Sequence, residues 1–133
     1  MLEVWKRYNQ CLIKGVIVSA GVYDSIIDQG ADWYLNFVYQ DSNGTPIDLT
    51  GYTARMQLRS LPEDPTAALT LTTGNGITIT GATGLIEVHA TATQTGSIDA
   101  GYYYYDVEIT APITGVVIRL IQGQFQVNPQ VTR

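Results

Sequence analysis

What this chain has little of narrows its function before any motif is found. It contains 1 histidine and 1 cysteine in 133 residues. A histidine pair for metal binding or proton transfer has no second member within one chain, and Cys11 has no partner for an internal disulfide. Cys11 reads as a buried or inert thiol and says nothing about an oxidising compartment. Charged residues make up only 14%, and 7 Lys plus Arg stand against 12 Asp plus Glu for a net charge of -5. Phosphate neutralisation needs a clustered basic face, so nucleic acid is not expected as a partner. The longest apolar runs, at 16–18 and 116–121, fall far short of a bilayer span, so a membrane is not expected either. The start, Met1-Leu2-Glu3-Val4-Trp5-Lys6-Arg7, lacks a basic region followed by an apolar stretch, so a secretory signal is not read and cytoplasmic production is expected. Helix signals are scarce. Residues 93–98 are the one candidate turn, with Thr95 or Ser97 as its cap and Gly101 as its stop.

What is present points to strands. The 13 glycines and 9 tyrosines, with abundant threonine, suit pleated half-buried surfaces and tight turns. From Asp48 to Gly51 a turn signal opens onto strict alternation, with Tyr52, Ala54, Met56 and Leu58 on one side and Thr53, Arg55, Gln57 and Arg59 on the other. Successive side chains of an extended chain point to opposite faces, so this is one apolar and one wet face. The pattern recurs. Residues 11–18 form a first strand with Gly15 as a bulge or close approach, and 31–41 form a second, with Trp33, Leu35, Phe37 and Tyr39 in an apolar file. Asp41-Ser42-Asn43-Gly44 turns the chain, and Pro62 and Pro65 interrupt the ladder after the third strand. Strands at 68–72 and 77–80 flank Asn75-Gly76, a hairpin signal. Residues 85–91 turn Ile86, Val88 and Ala90 inward. Residues 102–110 place Tyr103, Tyr105, Val107 and Ile109 in the core, and Tyr102, Tyr104, Asp106 and Glu108 toward solvent or a partner. A last strand, 116–127, is kinked at Gly123. The expectation is one all-β domain spanning 1–133, an immunoglobulin-like antiparallel β-sandwich of seven to nine strands, with 1–10 as a candidate N-terminal arm.

No constellation for chemistry emerges. His89 reads as an exposed strand residue, Asp41-Ser42-Asn43-Gly44 lacks the downstream glutamate of a calcium loop, and Gly74-Asn75-Gly76 lacks the strand-to-helix context of a phosphate loop. Asp24, Asp28 and Asp32 read as solvated carboxylates on an irregular connector. Catalytic, cofactor and metal residues are therefore not assigned, and an enzyme is not expected. The outward aromatics Trp5, Tyr8, Tyr34, Tyr102 and Tyr104 suit a protein interface, a sugar-stacking platform, or the core of an N-terminal segment folded back. Arg55, Gln57 and Arg59 form a basic strip on an acidic chain, able to meet acidic residues of a neighbouring subunit or simply to face solvent. Candidate interface residues are Trp5, Tyr8, Arg55, Arg59, Tyr102 and Tyr104.

A resemblance rests on the order of motifs: Gly30-Ala31-Asp32 before an aromatic strand, Asp48-Leu49-Thr50-Gly51-Tyr52-Thr53-Ala54-Arg55-Met56-Gln57-Leu58-Arg59, Asn75-Gly76-Ile77, and Thr83-Gly84-Leu85-Ile86. Ala100-Gly101-Tyr102-Tyr103-Tyr104-Tyr105-Asp106-Val107-Glu108-Ile109, then Gly115 and Arg119-Leu120-Ile121-Gln122-Gly123, extend it. From Gly30 to Arg133 the chain resembles small tailed-bacteriophage virion proteins and is similar to the N-terminal domain of the phage baseplate upper protein family. The resemblance implies a non-enzymatic sandwich that joins tail, baseplate, fibre, neck or collar parts, located in the virion after assembly in the host cytoplasm. It also implies other virion proteins as partners within a symmetric homo-oligomer. The long helical and receptor-binding-protein-docking segments that follow this domain in that family are absent after Arg133, which favours a stand-alone adaptor or decoration subunit. The alternatives are a capsid cement protein and a carbohydrate-binding module for host glycans; a small hydrolase lacks its constellation.

Overall fold

The computed structural model describes residues 2–5, 12–15, 21–41 and 43–133, the first two segments through their backbone pairing only. In chain order the strands are β1 (Leu2–Trp5), β2 (Leu12–Gly15), β3 (Gly21–Val22), β4 (Ser25–Asp28), β5 (Trp33–Tyr39) and β6 (Thr53–Arg59). They continue as β7 (Leu69–Thr73), β8 (Gly76–Thr80), β9 (Leu85–Ala90), β10 (Gly101–Thr110) and β11 (Val117–Asn128). One short helix, α1 (Ala92–Gly96), lies between β9 and β10. The fold is all-β, as expected. Pairing runs continuously through β2-β1-β5-β9-β8-β7-β6-β10-β11-β3, and β4 adds to β11.

The two-residue alternation sorts side chains between the faces of this sheet. Trp33, Leu35 and Phe37 of β5, Ala54, Met56 and Leu58 of β6, Ile86, Val88 and Ala90 of β9, and Tyr103, Tyr105, Val107 and Ile109 of β10 are all buried. These are the apolar files expected from the sequence. They meet in one core because the sheet curls: Trp33 of β5 packs edge-on against Phe125 of β11, with ring centroids 5.0 Å apart, although five strands separate β5 from β11 in the pairing order. A flat sheet would hold strands that far apart at roughly 4.8 Å per step.

The closing corner is residues 29–32. Here the chain leaves β4, which pairs with β11, and enters β5 at the other side of the sheet. Gly30 takes a positive φ of 79°, so the reversal fits in a tight turn. Thr95 of α1, fully buried, pins it: its hydroxyl accepts from the Gly30 amide at 3.1 Å and donates to the Ala31 carbonyl at 2.8 Å. Gln29 adds two bonds, its side-chain amide donating to the Ile98 carbonyl at 2.6 Å and its Oε1 accepting from the Gln130 amide at 2.9 Å. The Trp33 indole N–H donates to the Ser25 hydroxyl at 3.2 Å, tying β5 to β4 directly.

A second close fit lies at Gly123. It faces inward opposite Tyr105, and a Cβ there would collide with the Tyr23 backbone carbonyl. That carbonyl fills the space and accepts the Tyr105 hydroxyl at 2.5 Å. Burial pushes the Tyr105 phenol well above its ordinary pKa, which keeps it protonated and donating. Gly123 is thus required for close approach of the chain between β3 and β4.

Several expectations need correction. The sheet is mixed rather than purely antiparallel, since β3 and β4 run parallel to β11 and β7 runs parallel to β8. Residues 23–27, expected as an irregular connector, contain most of β4; its short Ser-Ile-Ile-Asp run has too few alternations to stand out. Asn75-Gly76 does not close a hairpin between β7 and β8. The turn bonds Thr72 to Asn75 and sends β8 onward to pair antiparallel with β9, because Leu71 and Ile77 both bury inward and Gly76 lies against Leu71 and the His89 carbonyl. The cap of α1 is Thr91, in a reciprocal capping box with Gln94, rather than Thr95 or Ser97. The helix also ends before Ser97 and not at Gly101. Of the expected first strand, Leu12–Gly15 is β2, while Cys11 and residues 16–18 lie outside the described residues.

Two replacements test these fits. Thr95→Val removes two part-buried hydrogen bonds, to the Gly30 N–H and the Ala31 C=O, for an expected loss of about 1–3 kcal/mol in chemical denaturation. Gly123→Ala forces a backbone shift, with an expected loss of about 2–4 kcal/mol and a lower melting temperature; melting unchanged from the parent chain would contradict the assignment.

Candidate functional site

The face of the sheet turned away from the core is ordered by register into cross-strand rows. Across β6, β10 and β11, Arg59 lies opposite Tyr104 and Tyr104 opposite Gln124. The next rows align Gln57, Asp106 and Gln122, and then Arg55, Glu108 and Arg119. Side chains directly opposite one another on antiparallel strands come within about 5 Å at Cβ, so these rows are contacts rather than coincidences of numbering. They line a concave groove of about 610 Å³, walled at one end by Pro62 and at the other by Val22 and Asp24.

The groove gathers unlike charges. Arg55, Arg59 and Arg119 are the cationic side chains between residues 21 and 132, and all three line it. Arg119 is held by Asp106 at 3.3 Å and Glu108 at 3.8 Å. Arg59 donates to the Asp64 carbonyl at 2.6 Å and to Gln57 Oε1 at 3.0 Å. Asp64 in turn shapes the proline loop by accepting from the Leu61 amide at 3.1 Å and from the Ser60 hydroxyl. Arg55 forms no ion pair or hydrogen bond among the described residues. Asp24 accepts from the Gln124 amide at 2.9 Å, which fixes the wall to the floor.

Of the candidate interface residues, Arg55, Arg59 and Tyr104 meet in this groove, and Tyr102 stands two positions along β10, 74% exposed. The acidic file that faces the basic strip belongs to the same chain. The backbone of Trp5 lies in β1, paired with Asn36 of β5, and Tyr8 lies outside the described residues. The remainder of 1–10 beyond Leu2–Trp5 likewise lies outside them. Arg119, Gln122 and Gln124 were not singled out from the sequence. Their strand, β11, carries an extra residue, Leu120, where it passes Val107 and Glu108 of β10, which breaks the alternation that would show them on this face.

A second polar cluster sits on the outer face of β5 and β9. His89 is a strand residue with its side chain 38% exposed; its ring stacks on Tyr34 with centroids 4.3 Å apart, and its Nε2 lies 2.9 Å from Asp32. Asp32 also accepts from the Ala92 amide at 2.8 Å. Asp28 accepts from the Asn128 side-chain amide at 3.0 Å. Asp24, Asp28 and Asp32 are exposed, as expected of solvated carboxylates, and each also accepts a hydrogen bond. Asp41 Oδ1 likewise accepts the Asn43 and Thr45 amides, which makes an Asx turn of the segment that superficially resembled a calcium loop. No helix among the described residues is long and apolar enough to cross a membrane.

Compared with known proteins, the chain matches no family model and no curated sequence.

The carboxyls generate a pH prediction. The bond to His89, then that to the Ala92 amide, holds Asp32 below its ordinary pKa, and the Thr50 hydroxyl and amide do the same for Asp48. A carboxylate depressed in the folded state stabilises above its unfolded pKa of about 3.9, and that contribution is lost as pH falls through the folded value. Asp32→Asn should therefore lower the melting temperature at pH 7 and make no difference near pH 2. A difference that grew on acidification would contradict the assigned sign.

Proposed function

We propose that this protein is a non-enzymatic structural component of a tailed-phage virion, an adaptor of tail, baseplate, fibre or neck that acts through protein–protein assembly. The reading takes the curled sheet as an immunoglobulin-like sandwich, with β5, β8 and β9 in one layer and β6, β10 and β11 in the other. It makes the protein one copy in a symmetric homo-oligomer within the virion, in contact with other virion proteins.

The observation that carries it is exposed apolar surface at both ends of the β10–β11 pair that floors the groove. Tyr102, Gln126 and Ile26 form one cross-strand row, and Tyr102 and Ile26 are 74% and 55% exposed. At the far end, the turn between β10 and β11 presents Ile113, 94% exposed, with Val116 and Val117. Apolar side chains grouped on an otherwise satisfied surface are what association covers, and tyrosine is favoured at such contacts. Symmetry then multiplies each weak contact through repeated interfaces. The motif resemblance from Gly30 to Arg133 supports the same reading.

Sedimentation velocity over a range of concentrations, with localisation of the protein in imaged phage particles, tests it. Replacing Ile26 and Tyr102 together by serine should shift oligomers toward monomer while leaving the melting temperature near that of the parent chain. A protein that stays monomeric at all concentrations and is missing from particles would overturn the reading.

A further inference from the structure

The groove on the outer face of β6, β10 and β11 has a composition that assembly alone does not require. We infer that it is a saccharide-binding site, shaped for a neutral oligosaccharide of about two or three pyranose units. The inference goes beyond the assembly role and does not depend on it.

Size comes first. A volume of about 610 Å³ lies inside the range of small-molecule sites, roughly 300–1,000 Å³, and exceeds what single ordered waters need. Charge comes second. Three guanidiniums, of Arg55, Arg59 and Arg119, stand against three carboxylates, of Asp24, Asp106 and Glu108. A balanced lining offers little net attraction to a phosphate, a nucleic acid or an acidic peptide.

It offers a great deal to hydroxyls. A sugar hydroxyl both donates and accepts, and adjacent hydroxyls present pairs of such groups. Guanidinium and carboxylate groups engage them two atoms at a time, the side-chain amide of Gln124 supplies a donor and an acceptor, and that of Gln122, whose Oε1 accepts from Arg119, supplies its N–H groups. Tyr104, 41% exposed and lining the same groove, adds an aromatic face for the apolar side of a pyranose ring.

The third point is rigidity. The lining side chains rise from paired strands, and Arg119 and Arg59 are already held by Asp106, Glu108, Gln57 and the Asp64 carbonyl. Groups ordered before binding lose little entropy when the ligand arrives, which is the condition under which weak polar contacts add up to measurable affinity. Arg55, exposed at one end, is the group left to reach the ligand.

Saturation-transfer NMR on the whole chain with a panel of neutral trisaccharides, built from glucose, galactose, rhamnose or N-acetylhexosamine, tests the site. Transfer to at least one of them is expected. Affinity should fall by about tenfold in Tyr104→Ala and in Arg55→Ala, both of which should melt like the parent chain, and should be unmoved by Thr78→Ala on another strand. Raising salt from 50 to 300 mM should change it little. The inference is overturned if no trisaccharide receives saturation, or if binding survives both replacements. It is equally overturned if a hexaglutamate peptide binds in the same groove with steep salt dependence while the sugars do not.

Discussion

The contact of Trp33 with Phe125 is the constraint on which the rest of this molecule depends. These rings belong to strands at distant positions in the pairing order, and their meeting converts an open sheet with one wet and one apolar face into a closed core. Without that curl, the inward files of β5, β6, β9 and β10 would be faces in search of a cover. With it they are buried against each other, and a chain with few charges and no described disulfide has enough apolar contact to fold. The corner at 29–32 is what brings the two sides together: Thr95 bonds its backbone, Gln29 reaches Ile98 and Gln130, and the Trp33–Ser25 bond ties the strands on either side of it.

Closure also determines where function can reside. Once the inward face is committed to packing, only the outward face, the strand ends and the turns remain. On that face the register sets Arg55, Gln57 and Arg59 beside Glu108, Asp106 and Tyr104, and the bulge in β11 brings Arg119 round to the acidic pair. The result is a groove with three cationic and three anionic side chains, flanked by exposed apolar residues. The assembly proposed for the apolar residues and the recognition inferred for the polar groove would use different parts of one surface and are compatible in a single subunit.

Much of this was legible in the sequence, and the part that was not has a physical reason. Alternation identified the core side of β5, β6, β9 and β10 correctly, down to Tyr103 and Tyr105 inward and Tyr102 and Tyr104 outward, because the side-chain period of a strand is a local property. The basic strip was visible for the same reason. Its acidic complement lies about fifty positions away, and only the pairing register shows that Glu108 faces Arg55. Asn75-Gly76 was misread because a tight turn fixes the local path of the chain but not the partner of the next strand. Thr95 was placed in α1 as a cap, whereas its role is to bond a turn some 64 positions earlier, which no local pattern reveals. Gly123 was noticed, but its reason, the Tyr23 carbonyl beneath it, is again a contact of high sequence separation.

Closure of the sheet requires its two sides to form one cooperative core. Native-state hydrogen exchange measures this most directly, by comparing the opening free energies of amides in β5 and β9 with those in β10 and β11. If Trp33 and Phe125 join them as described, the most protected amides of both groups exchange through one common opening, and Trp33→Ala lowers protection in β10 and β11 as much as in β5. Two separate opening energies, with β10 and β11 untouched by that replacement, would contradict the closure of the sheet.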